Sequence, residues 1–168
     1  MLARIALVLA CISSALLPEA AQAEESGCDY DVRIFDRQGL KVAAEVACVG
    51  EVGGFVALPG VAPFVTRFEG EDGKPLQPDE GSWKLPDSPK RSTVHYEVDL
   101  GAYAASGARG VAAAGRSFMT LASAWLFRPA PVDLPLRIRI SNESGQDVAA
   151  GFAAAEGVIR LTARQLAF

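Results

Sequence analysis

The sequence has 168 residues and a formal charge of −4, with half of its residues apolar and 21% charged. That balance fits a folded chain and excludes a nucleic-acid partner, because phosphate binding needs a dense basic face. A single histidine, His95, excludes any metal site built on two imidazoles.

Residues 1–23 read as a secretory signal peptide. Arg4 supplies the positive start, Ile5 to Leu17 is an apolar run, Pro18 breaks it, and Ala21-Gln22-Ala23 gives a small-x-small site cleaved between Ala23 and Glu24. The run is shorter than the ~20 apolar residues of a membrane-spanning helix, and no second candidate follows. The mature chain, 24–168, is therefore expected to be exported to the periplasm or secreted, without a transmembrane segment. Cys11, preceded by Val8-Leu9-Ala10, leaves a weaker reading as a lipoprotein site.

Export places Cys28 and Cys48 in an oxidising compartment, where a disulfide persists. A hairpin turning at Asp36-Arg37-Gln38-Gly39-Leu40, with Gly39 left-handed, would set Tyr30 against Val46, Val32 against Ala44 and Cys28 against Cys48. Opposed residues in such a pair lie about 4.5–5.5 Å apart, close enough for a bridge. Two buried free thiols are the alternative.

Further along, Phe55 to Leu58 and Phe64 to Phe68 read as short strands. Residues 69–92 are broken by prolines and glycines, which excludes a helix there. Within them Trp83 and Leu85, two apart, suggest a short strand over the core. Thr93 to Leu100 alternates cleanly, with Val94, Tyr96, Val98 and Leu100 on one face and His95 on the polar one. Residues 101–117 are nearly all Gly, Ala and Ser, and their glycines predict a loop rather than a helix. Phe118 to Leu121 and Ala124 to Phe127 form an apolar stretch stopped by Arg128-Pro129. Leu134, Leu136, Ile138 and Ile140 alternate with arginines, Val148 to Phe152 is ambiguous, and Val158 to Leu161 is a last strand. The expectation is one all-β domain, an antiparallel β-sandwich of about seven to nine short strands.

Catalytic patterns are missing from the sequence: there is no Cys-x-x-Cys, H-E-x-x-H, phosphate loop or nucleophile elbow. No catalytic residue, metal ligand or cofactor is expected. The acids Asp29, Asp31, Glu69, Glu71 and Asp72 fall in two groups that leave a weak oxygen-ligated calcium site open. His95 on a regular strand is read as a solvated side chain rather than part of a triad.

Several stretches resemble a known family: Glu71-Asp72-Gly73-Lys74-Pro75-Leu76 leading to Ser82-Trp83-Lys84-Leu85, then Thr93 to Leu100, Ala124 to Pro129 and Pro135 to Ile140. Together they resemble the N-terminal β-domain of the glycyl aminopeptidase family, which are exported, PDZ-containing, thermolysin-like metallopeptidases. The resemblance implies a non-catalytic accessory domain that packs against a zinc-binding catalytic domain bearing H-E-x-x-H. That domain is not in this sequence, so no enzymatic activity is expected of the chain on its own. The implied partner is a catalytic peptidase domain or another protein. Trp83, Trp125, Leu166 and Phe168 are the candidate interface, expected to form an exposed apolar patch. The alternative is a stand-alone periplasmic or secreted module that binds a protein or ligand.

Overall fold

Period-two alternation sets the first two strands. β1 (Gly27–Phe35) and β2 (Lys41–Val49) turn Cys28, Tyr30, Val32 and Ile34, and Val42, Ala44, Val46 and Cys48, onto one buried face. They pair antiparallel in the expected register, Tyr30 against Val46 and Cys28 against Cys48. The two cysteines are bonded through sulfur, with Cα atoms 4.1 Å apart. The turn between them uses left-handed backbone at two non-glycine residues, Asp36 (φ 67°) and Leu40 (φ 42°). The Asp36 carboxylate accepts from Gly39 N at 3.3 Å and its carbonyl from Leu40 N at 3.2 Å, local bonds that let a short polar residue adopt this conformation.

This computed structural model describes residues 25–36, 39–86, 90–114, 117–145 and 154–166. The remaining strands are β3 (Gly54–Val56), β4 (Val65–Gly70), β5 (Ser82–Lys84), β6 (Arg91–Asp99), β7 (Val111–Ala114), β8 (Ser117–Thr120), β9 (Arg128–Ala130), β10 (Pro135–Asn142), β11 (Ala154–Ala155) and β12 (Val158–Thr162). One seven-stranded sheet has the order β11-β12-β10-β1-β2-β6-β4, a second is β5-β3-β9, and β7-β8 form a separate ribbon.

The all-β expectation holds, with two departures. Twelve strands lie in the described residues, more than expected, because pieces as short as β9 and β11 leave no room for alternation to show. The large sheet is also not wholly antiparallel: β1 and β10 run parallel, Cys28 against Leu136 through Ile34 against Asn142. Inward and outward residues alternate the same way in either direction, so the pattern of residues carries no information on strand sense.

The three-stranded sheet lies over the inner face of the large one, and aromatic rings join the layers. Trp83 of β5 stacks on Phe68 of β4 at 4.7 Å, and Phe127 stacks on Tyr96 of β6 at 4.4 Å and on Trp83 at 5.2 Å. The segment 124–127 is buried yet not a strand. Its backbone is satisfied from the sheet below: Tyr30 Oη donates to the Phe127 carbonyl at 2.6 Å and Tyr96 Oη to the Trp125 carbonyl at 2.9 Å.

The loop expected over 101–117 is instead a short helix and a hairpin. α1 (Leu100–Ala105) starts where the Asp99 carboxylate accepts from Ala102 N at 2.7 Å, and it buries Leu100 and Tyr103. Gly101 does not break it. That glycine lets α1 approach the β1–β2 turn, where any Cβ would collide with the Gly39 carbonyl. The expected leader with its Ala23/Glu24 cleavage point, the stretch 148–152 and Phe168 lie outside the described residues. Among the described residues no helix is long and apolar enough to cross a membrane.

Candidate interaction surface

Three of the residues expected to form an interface, Trp83, Trp125 and Leu166, are not on the surface. Trp83 is 1% exposed and Trp125 and Leu166 are each 2% exposed, so the patch expected from them does not form. The prolines around Trp83 bound a three-residue strand that faces inward, and Trp83 fills the space between the sheets against Phe68 and Phe127. Trp125 leads into the stack through Phe127. Leu166 closes a turn of 3-10 helix, Ala163–Leu166, that packs on β9.

Exposed large apolar groups occur elsewhere, on the β7–β8 ribbon. Met119 is 75% exposed and Leu121 53%. With Gly110, Val111, Ala112 and Thr120 they border a shallow groove of about 420 Å³. Its base is tight: Gly110 (φ 97°) donates no side chain, and a Cβ there would meet Leu58 and Leu121. Leu121 N donates to the Gly110 carbonyl at 2.8 Å, which fixes the end of β8 against the start of β7. The ribbon has no third strand among the described residues, so its outer edges keep unpaired backbone groups. The alternation that placed His95 would also have found Met119, because Phe118 packs toward the core and its neighbour must face out.

The outer face of the large sheet is polar. A row of residues in register, Arg139, Asp31, Glu45, His95 and Glu69, crosses β10, β1, β2, β6 and β4. Arg137 grips Asp29 with two bonds, Nε to Oδ1 at 2.7 Å and a terminal nitrogen to Oδ2 at 2.6 Å, and Arg139 lies 3.7 Å from Asp31. His95 Nδ1 stands 3.8 Å from Glu45 Oε2 on this solvated face, as its position in β6 requires. Asp72 is taken by Lys74 at 2.6 Å, and that hydrogen bond holds the Asp72 carboxyl below its ordinary range. Arginine and lysine thus occupy acids from both groups considered for calcium. Among the described residues no three His, Cys, Asp or Glu side chains are grouped to hold a metal ion.

No known protein family matches the sequence, and no curated protein is similar to it. The fold is similar to part of an aminopeptidase N family protein from Idiomarina loihiensis, with a TM-score of 0.53 and 16% identity. The likeness covers 80% of this chain and 27% of that one, so the chain spans little more than a quarter of that protein. At this identity the shared property is the fold.

Proposed function

We propose that this chain is a non-catalytic, exported β-domain that serves as an accessory to a peptidase of the glycyl aminopeptidase type. One observation carries the reading: most of this chain matches a minor part of an aminopeptidase N family protein. The role is mechanical. The sandwich offers a rigid, bridged body against which a catalytic domain packs, and it helps wall the substrate cleft. The Cys28–Cys48 bond supports an oxidising compartment. With Trp83, Trp125 and Leu166 internal, the β7–β8 ribbon is the exposed apolar surface among the described residues that such a neighbour could use.

The same burial favours a second reading, a self-contained exported binding module whose large aromatics serve only its own core. Native purification of the tagged protein from the exported fraction decides between them. Peptide mapping should find H-E-x-x-H in the same or a tightly bound polypeptide, and chelator-sensitive hydrolysis of glycyl and alanyl substrates should travel with it. A homogeneous exported species without that motif and without hydrolysis favours the binding module. Chelator-sensitive hydrolysis by residues 24–168 alone overturns both.

A further inference from the structure

β8 is an edge strand without the devices that guard the other edges. The β4 edge of the large sheet carries Arg67 and Glu69 and has a register shift between Val65 and Arg67. Its second half is also covered: Leu76 N donates to the Phe68 carbonyl at 2.8 Å and Gly70 N to the Lys74 carbonyl at 3.1 Å, with Pro75 between them. β11 has two residues, and β5 and β9 have three each. Charge, irregularity, cover and shortness are the usual means of keeping a sheet edge from recruiting another strand. The stretch Ser117-Phe118-Met119-Thr120-Leu121 has no charge and no proline, and β8 pairs with β7 without a bulge. α1 packs beside β7, whereas among the described elements none but β7 packs along the length of β8.

The bonds inside the ribbon fix which groups β8 has left to offer. Leu121 N donates to the Gly110 carbonyl, so these two form a hydrogen-bonded pair, and by the alternation of an antiparallel ladder Met119 and Ala112 form the next. The backbone N–H and C=O of Phe118 and Thr120 therefore point away from β7, along the open edge. A twofold axis at Met119 sets Phe118 of one copy against Thr120 of another, and each outward N–H then meets an outward C=O. The same register sets Met119 against Met119 as a non-hydrogen-bonded pair, the kind in which side chains come closest. Met119 is the most exposed large apolar side chain of the described residues, and this pairing covers it. With no ionisable group in the stretch, two copies meet there without opposing like charges, despite the net charge of −4 on each chain.

We propose that β8 pairs antiparallel with β8 of a second copy of this chain, joining two ribbons into one sheet with Met119 at the twofold axis. About five residues a side take part, which buries less than the roughly 1,200 Å² of a stable interface, so the dimer is weak and reversible. The peptidase reading uses the face of the ribbon and this inference its edge, so each can fail without the other.

The test is sedimentation velocity of the purified, oxidised protein over a concentration series, joined to amide exchange. A monomer–dimer equilibrium is expected, with a Kd on the order of 100 μM. Raising the concentration should slow exchange at the Phe118 and Thr120 amides and leave that of Met119, already bonded within the ribbon, unchanged. Thr120→Pro removes an outward N–H, leaves the ribbon's own bonds in place, and should weaken dimerisation at least about tenfold. Thr120→Val keeps the N–H and should dimerise like the parent. Met119→Lys brings two cations together at the axis and should also abolish the dimer, with the melting temperature unchanged because the side chain is exposed. A monomer at every concentration up to about 1 mM would overturn the proposal. So would a dimer that survives both Thr120→Pro and Met119→Lys, or concentration-dependent protection at β4 in place of Phe118 and Thr120.

Discussion

The ring stack between the sheets and the β7–β8 ribbon are both apolar, but their side chains end in opposite environments. Trp83, Phe68, Tyr96 and Phe127 are at most 4% exposed, and Phe127 lies within 14° of parallel to each of the other three. Met119 and Leu121 are more than half exposed. The residues with the largest apolar area are the ones fully hidden. Hydrophobicity alone therefore does not mark a surface for contact; what matters is whether a second layer covers that face.

The largest expected effect tests the buried side by pH. Burial pushes the Tyr30 hydroxyl well above its ordinary pKa of 10.0, with the nearby Tyr96 adding to the rise, and burial also raises Tyr96. The folded state thus keeps protons that the unfolded chain releases. The resulting stability is fully present below the unfolded pKa of 10.0 and is lost as pH rises from there toward the folded pKa. Melting temperature should be level in mildly alkaline buffer and fall steeply above pH 10.0, with phenolate absorbance from these residues appearing only on unfolding. Phenolate formation in the still-folded protein near the ordinary pKa would show that the stack is open to water.

Phe127→Ala sharpens the comparison within the stack. Removing the ring that touches Trp83, Tyr96 and Phe68 should cost about 3–5 kcal/mol, read from the shift in urea midpoint. A loss under about 1 kcal/mol would mean that the rings do not share one core. The Cys28→Ala, Cys48→Ala double variant removes a crosslink spanning 20 positions and should cost about 2–4 kcal/mol, with the far-ultraviolet spectrum retained. Met119→Ser is the smallest, within about 0.5 kcal/mol of the parent. A large loss there would move the ribbon from surface to core and dissolve the contrast.

Much of this fold was legible in the sequence. The register of β1 on β2 followed from one turn and period-two alternation, and the cysteine pair followed from the register. The inward set of β6 and the polar placement of His95 came from the same rule. What escaped depends on distant chain. That Trp83 is core rather than rim depends on Phe68 and Phe127, brought to it by β4 and by the segment 124–127. α1 forms among glycines because Asp99 caps it and Gly101 fits against a turn some sixty positions earlier, a contact no local pattern records. Met119 was readable by alternation, but it sits in the run Phe118 to Leu121, where three of four residues are apolar and the alternation is obscured.

The parallel seam between β1 and β10 has a consequence for the order of assembly. On one side β1 meets the strand that follows it directly; on the other it meets β10, whose Arg137 reaches Asp29 across 108 positions of sequence. During synthesis the β1–β2 hairpin can form, and its cysteines can oxidise, while most of the chain has yet to appear. The middle of the sheet cannot close until residues 135–142 arrive. Until then β1 carries an open edge at what becomes the centre of the molecule, and pairing over such a separation is slow. Asp29 and Arg137, an exposed pair that adds little to equilibrium stability, sit on that late-closing seam.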